Sequence, residues 1–384
     1  MTRRHTWLGA RGGPWRLLTG DGAGAADGLA LDEALMAGYA RGKPPATPTL
    51  RLYTYRTHCA LIGRYQNLDA EVDLMACAET RTPVSRRPTG GGAIIMGASQ
   101  LGVALAAAAP AARRPRQIIE ELAGGLIAGL AGLGIDAVFR GKNDLEVDGR
   151  KIAGLGLYAD QSGALLFHAS VLADLDIGFM LRVLRIPAAK LAGKAAAAVA
   201  QRVTTVTELT GQRWDGPALR PVIASGFAAA FGAGLEPAEP DAAERELAAT
   251  LAADRYSTQS WLADRTAALD GSGSAALKTP AGLARIYLTT HADLVKNAIV
   301  VGDFNDLPPE VVHFEAALRW RRLDETAVAE AIRRSGAAEA LGVGSDQLAA
   351  AVLYAGQQAQ DRLAAAPVRS EGSCYFPEPA RSPA

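Results

Sequence analysis

Apolar and polar positions change period several times along this chain, and each change marks an element. TLRLYTY, residues 49–55, alternates and is rich in β-favouring side chains, which predicts a strand. WRLL before it, and CALIG, AIIM and QLGVALAA after it, predict further strands. In GLALDEALMAGYA, Leu31, Leu35 and Met36 recur at helical spacing, and Asp27 is placed as the N-cap. Over residues 117–133, Ile118, Ile119, Leu122, Leu126, Leu130 and Leu133 form the apolar stripe of an amphipathic helix. AVFR, DLEV, RKIAGLGLY and LLFHASVL carry the sheet onward, with Asp148-Gly149 as a hairpin turn. From about residue 176 the period becomes helical, in GFMLRVL, VTTVTELTG and ALRPVIASGFAAAFG. TAALDGSGSAALKTP is small and Gly/Ser-rich, and reads as a linker. ARIYLTT and LVKNAIVVGDF beyond it predict two strands, and three helices follow.

This layout predicts an α+β protein of two domains. The first, residues 1–265 with a core over 44–236, has mixed and antiparallel sheets flanked by helices. Residues 266–276 form the linker, residues 277–366 a small α+β domain, and residues 367–384 a disordered tail.

Composition narrows the function classes. Lys plus Arg and Asp plus Glu are 40 each, a formal net charge of zero, which argues against a nucleic-acid-binding chain. Cys59, Cys77 and Cys374 lack metal or disulfide spacing, and free thiols suit a reducing cytoplasm. The N-terminus has no apolar h-region, and no apolar run is long enough to span a bilayer. The expectation is a cytoplasmic protein with no membrane or nucleic-acid partner.

Three stretches could carry chemistry. In RRPTGGGAII, Gly90-Gly91-Gly92 sit between two arginines and an apolar strand. Glycines against a strand suggest close backbone approach by an anionic ligand; a tight turn beside two solvated arginines is the alternative. In KNDLEVDGRKIAG, Lys142 and Lys151 flank a hairpin, and Asp144 offers a carboxylate to Mg²⁺ or a hydroxyl. Taken alone, that stretch is better explained as an ordinary hairpin with solvated charges. His168 stands alone in an apolar strand, where a satisfied core histidine is the commoner case. Trp261 reads as an anchor, and Lys190 and Lys194 as solvated lysines or a closing loop. No P-loop occurs, and GLGLYAD and GDGAGAADG lack the context of a dinucleotide fingerprint.

Taken in order, LALDEALMAGYARG, TLRLYTY, LIGRYQN, RRPTGGGAI, KNDLEVDGRKIAGLGLY, LLFHASVL and AQRVTTVTEL resemble the lipoate-protein ligase family, which shares a fold superfamily with biotin ligases and octanoyl transferases. LVKNAIVVGDFN and the helices after it resemble that family's accessory domain. The resemblance implies that ATP and lipoate give lipoyl-AMP, and that the acyl group passes to a lysine of a lipoyl carrier protein. That carrier would be a lipoyl domain, a glycine-cleavage H-like protein or a lipoate-binding protein. It implies that Arg87, Thr89, Gly90, Gly91, Gly92 and Ala93 wrap substrate and nucleotide. Asn143 and Asp144 would lie near the phosphates with Mg²⁺, and Lys151, with Gly154, at the reacting oxygens. His168 and Ala169 would sit near the adenylate. Met96 departs from the family's usual histidine. An octanoyl transferase working through an acyl-enzyme needs a pocket cysteine, which the segment just before DLEVDGRKIAG lacks; one using a carrier thioester directly would need no ATP. A non-catalytic adenylate- or carrier-binding relative is a further alternative, countered by the presence of Lys151.

Overall fold

The computed structural model describes residues 6–9, 13–41, 47–110, 113–141, 143–185, 195–266, 272–280 and 282–365. Lys142, Lys190, Lys194, Cys374 and the tail 367–384 lie outside the described residues. The strands are β1 (Trp15–Ala23), β2 (Thr49–Tyr55), β3 (Cys59–Ile62), β4 (Val84–Arg86), β5 (Ile94–Met96), β6 (Gln100–Ala108), β7 (Val138–Arg140), β8 (Asp144–Val147), β9 (Arg150–Ala159), β10 (Ala164–Leu172), β11 (Leu235–Pro237), β12 (Gly273–Thr279), β13 (Gly282–His291) and β14 (Leu294–Gly302).

An eight-stranded sheet in the order β11-β1-β2-β6-β10-β9-β8-β7 is the frame. β1 runs parallel to β11 and β2, and from β2 onward every pairing is antiparallel. The fold is therefore mixed α+β, as the alternating strands and amphipathic helices dictate. A small sheet, β4-β3-β5, carries the chain into and out of the glycine triplet.

The two faces of the large sheet have different fates. Leu50, Leu52, Leu101, Val103, Leu105, Phe167 and Val171 point one way and bury against the helices Pro115–Ala131 and Gly216–Phe231. Their full burial supplies the main hydrophobic stabilisation, about 1.5–3 kcal/mol for each large side chain. Tyr53, Tyr55, Ala104 and Ala106 point the other way, toward the helix Ala25–Ala37. That face is thinned by glycines, and the cleft described below opens on it.

The chain divides into two units: Met1–Thr266 with Ala281–Leu283 and Val301–Leu307, and Ala267–Pro280 with Ala284–Val300 and Pro308–Ala384. The second holds the sheet β12-β13-β14 and helices Pro309–Leu318, Glu325–Ser335 and Ser345–Ala365. Three sequence expectations are corrected. The stretch read as linker contains β12 from Gly273, in which Gly273, Leu277 and Thr279 are buried. The helix expected to follow an N-cap at Asp27 starts at Ala25 with Gly24 as N-cap, the two alanines being strong helix formers. VTTVTELTG is helical only over Val206–Thr210, because Thr205 caps it through its hydroxyl to the Glu208 N–H. Among the described residues no helix is long and apolar enough to cross a membrane.

Candidate active site

A cleft opens in the first unit, lined by Arg87, Thr89, Gly92, Ala93, Asn143, Lys151, Gly154, His168 and Ala169. Leu29, Leu61, Ile94, Met96, Tyr53 and Tyr55 supply its apolar wall. Nine of the residues singled out by the resemblance thus meet in one place. Gly90, Gly91 and Asp144 are not among the lining residues, though Asp144 pairs with Lys151, which is.

The glycine triplet is no linker, and its three members do different work. A Cβ on Gly90 would fall 1.9 Å from the Phe304 carbonyl oxygen. Gly91 has φ +93°, a region that L side chains rarely occupy, and its N–H donates to the same Phe304 oxygen at 2.8 Å. Gly92 has open space where a Cβ would sit, on the cleft side.

The alternative of two solvated arginines is ruled out, since both Arg86 and Arg87 are buried. Arg86 donates to the carbonyls of Gly63, Arg64, Gln66 and Leu262, stitching the loop after β3 to the short helix Gln259–Leu262. Trp261 returns its indole N–H to the Arg86 carbonyl, so it is an anchor. Arg87 donates to Leu61, Gly90 and Gly92 at 3.0, 2.8 and 2.7 Å, and so holds the triplet in shape. Burial lowers the Arg87 guanidinium to about 10, still charged at neutral pH.

Lys151 reaches the cleft because β9 is irregular. Glu146 pairs with Lys151 but Leu145 pairs with Ala153, so Ile152 is an extra residue. This bulge shifts Lys151 onto the face carrying Gly154 and Gly156. A Cβ on Gly154 would lie 3.0 Å from the Lys151 ammonium, so the glycine makes room for it. The Lys151 backbone is clamped from the other side, donating to Arg202 and accepting from Thr204. Its ammonium pairs with Asp144 at 2.7 Å. Asn143 turns its amide onto the Leu155 carbonyl at 2.9 Å.

His168, on β10, is not a bland core residue. Its Nε2 lies 3.0 Å from Asp32 and its Nδ1 3.3 Å from the Thr89 hydroxyl. Asp32 is fully buried on the helix Ala25–Ala37, and also accepts from Arg51 at 2.6 Å and Tyr53 at 2.7 Å. Burial pushes the Asp32 carboxyl up, but Arg51 and the bonds from His168 and Tyr53 outweigh it and hold it below the usual range. Asp32, Arg51 and Tyr53 were missed at the sequence level. The available signal was an acid inside an apolar helix and Arg51, Tyr53 and Tyr55 on one face of β2.

Neither described cysteine lines the cleft, and burial raises both thiols, Cys59 most strongly. Among the described residues no group of three or more His, Cys, Asp or Glu side chains could hold a metal ion.

Residues 25–228 match the family model of the lipoyl protein ligase A/B catalytic domain. Fold and cleft together thus define an enzyme of protein lipoylation. The chain belongs to the lipoyl protein ligase A/B family. It is similar to octanoyltransferase LipM of Kyrpidia tusciae, 33% identical over 64% of this chain and 97% of that one. It is likewise similar to octanoyltransferase LipM of Symbiobacterium thermophilum, 30% identical over the same shares. Among solved structures it resembles a bi-partite lipoate protein ligase from Thermoplasma acidophilum, described with its E2 lipoyl domain. That likeness has 26% identity and a TM-score of 0.58, over 65% of this chain and 96% of the other.

Proposed function

We propose that this enzyme is an ATP-dependent lipoate-protein ligase, forming lipoyl-AMP and passing the acyl group to a lysine of a lipoyl carrier protein. The observation that carries the reading is the pairing, in one cleft, of an apolar slot with the Lys151 ammonium, where neither described cysteine reaches. Adenylation brings a carboxylate against an anionic α-phosphate. A fixed cation between them offsets that repulsion most in a partly dry site. Gly92, with no side chain, leaves its backbone open beside it for phosphate or carboxylate oxygens. Leu61, Ile94 and Met96 suit the hydrocarbon chain of the acid.

Magnesium enters with the nucleotide in this scheme. Asp144 is a single carboxylate already engaged by Lys151, which does not make a resident metal site. The carrier is of the lipoyl-domain type, as in the Thermoplasma acidophilum system.

A second reading is octanoyl transfer without ATP, favoured by the names of the two relatives above. In this reading Lys151 would polarise a thioester carbonyl, and no acyl-enzyme would form on Cys59 or Cys77. Pyrophosphate release separates the two. The ligase releases it from ATP only when lipoate or octanoate is present, and a lack of release with either acid would end the first reading.

A further inference from the structure

We propose that His168 takes the proton released when the carrier's amine attacks the activated acyl carbonyl, with Thr89 linking it to the amine and Asp32 as the positioning residue behind it. This rests on the adenylate reading and concerns its second half-reaction.

The hydrogen-bond directions are forced. The Asp32 carboxylate only accepts, and it already takes hydrogens from Arg51 and Tyr53. The Nε2 of His168, 3.0 Å away, must therefore carry a hydrogen. In the neutral ring this leaves the Nδ1 lone pair facing the Thr89 hydroxyl at 3.3 Å. Both residues line the cleft. The other charged groups there are Lys151, paired to Asp144, and Arg87, bonded to carbonyls, neither of them placed to accept a proton. Arg51 and Tyr53, from β2, act on His168 through Asp32.

The step balances as follows. The amine nitrogen forms the new C–N bond, the carbonyl carbon–oxygen bond to phosphate breaks, and AMP leaves with that electron pair. One amine proton passes to Thr89 Oγ1 as the hydroxyl's own hydrogen moves to His168 Nδ1. The imidazolium formed is stabilised by the ionised Asp32 and returns its proton to solvent after AMP leaves. The ring is held on both sides, so no reorganisation is needed at the moment of attack.

The test is His168→Gln, which keeps an N–H toward Asp32 but has no basic nitrogen. Enzyme loaded with synthetic lipoyl-AMP is mixed either with an apo E2 lipoyl domain or with hydroxylamine, a nucleophile that needs little help from a base. The ratio of the two single-turnover rates should fall about 10²-fold to 10³-fold in the variant. The break in the wild-type transfer–pH profile should vanish with it. Thr89→Val should lower the same ratio, and Thr89→Ser should restore it. An unchanged ratio and pH profile in His168→Gln would overturn the proposal, and so would an equal loss with both nucleophiles. Because the adenylate is supplied, this outcome is separate from whether the chain makes it from ATP.

Discussion

The Lys151 ammonium lies 2.7 Å from the Asp144 carboxylate, each side chain about one-third exposed (33% and 34%). A pair this exposed adds about 1 kcal/mol or less to stability. Its worth is in where it holds the cation, in the lining of the cleft, with Asp144 exchangeable for a substrate oxygen. Lys151→Ala should retain the fold and lower pyrophosphate release about 10³-fold. Full activity in a folded variant would sink the mechanism.

Arg87 should not tolerate lysine. Its bonds to Leu61, Gly90 and Gly92 need a planar fork, and an ammonium cannot reach all three carbonyls. Arg87→Lys should cost about 2 kcal/mol in urea unfolding, from carbonyls left unpaired, and should raise KM for both ATP and acid.

The glycines should separate by position. Gly90→Ala meets the Phe304 oxygen and should destabilise the first unit by about 1–3 kcal/mol. Gly92→Ala meets nothing, so its Tm should stay near wild type while its KM for acid or nucleotide rises. A Gly90→Ala protein as stable as Gly92→Ala would contradict the close approach.

Acid should expose the Asp32 network. Its carboxyl is held lower in the folded chain than in the unfolded one. Its contribution is therefore present at neutral pH and is lost as pH falls through the folded value, below about pH 4. Asp32→Asn should lose about 3–5 kcal/mol by stranding the Arg51 cation, and its stability should fall less steeply with acid. Parallel stability–pH curves for the two proteins would contradict this.

The thiols of Cys59 and Cys77 should be irrelevant to turnover, a test best made with Cys374 replaced by serine. Burial keeps Cys59 and Cys77 protonated and shielded. Iodoacetamide should leave activity within about twofold of control under native conditions. Inactivation protected by lipoate would point to an acyl-enzyme.

What was legible in the sequence follows physical range. Strands such as TLRLYTY are local patterns, and β2 lies where the alternation places it. The Asp148-Gly149 hairpin is likewise local, with φ +51° and +76° at its tip. The glycine triplet signalled a close approach, but its partner Phe304 is remote in sequence and left no local mark. The bulge at Ile152, which brings Lys151 into the cleft, depends on pairing with β8 and is invisible in a run of β-favouring residues. The burial of Arg86 left no local mark either, because its carbonyl partners Gly63, Arg64, Gln66 and Leu262 are remote in sequence. Asp32 was hidden because its stabilising cation lies on another element.

The central claim is activation by ATP, and the most direct measurement is the mass of an apo E2 lipoyl domain after incubation with the enzyme. With lipoate and ATP the account predicts addition of one lipoyl group, with pyrophosphate released, and no acylation from an octanoyl carrier thioester when ATP is omitted. Octanoylation from the thioester without ATP, and none from free acid with it, would contradict the account.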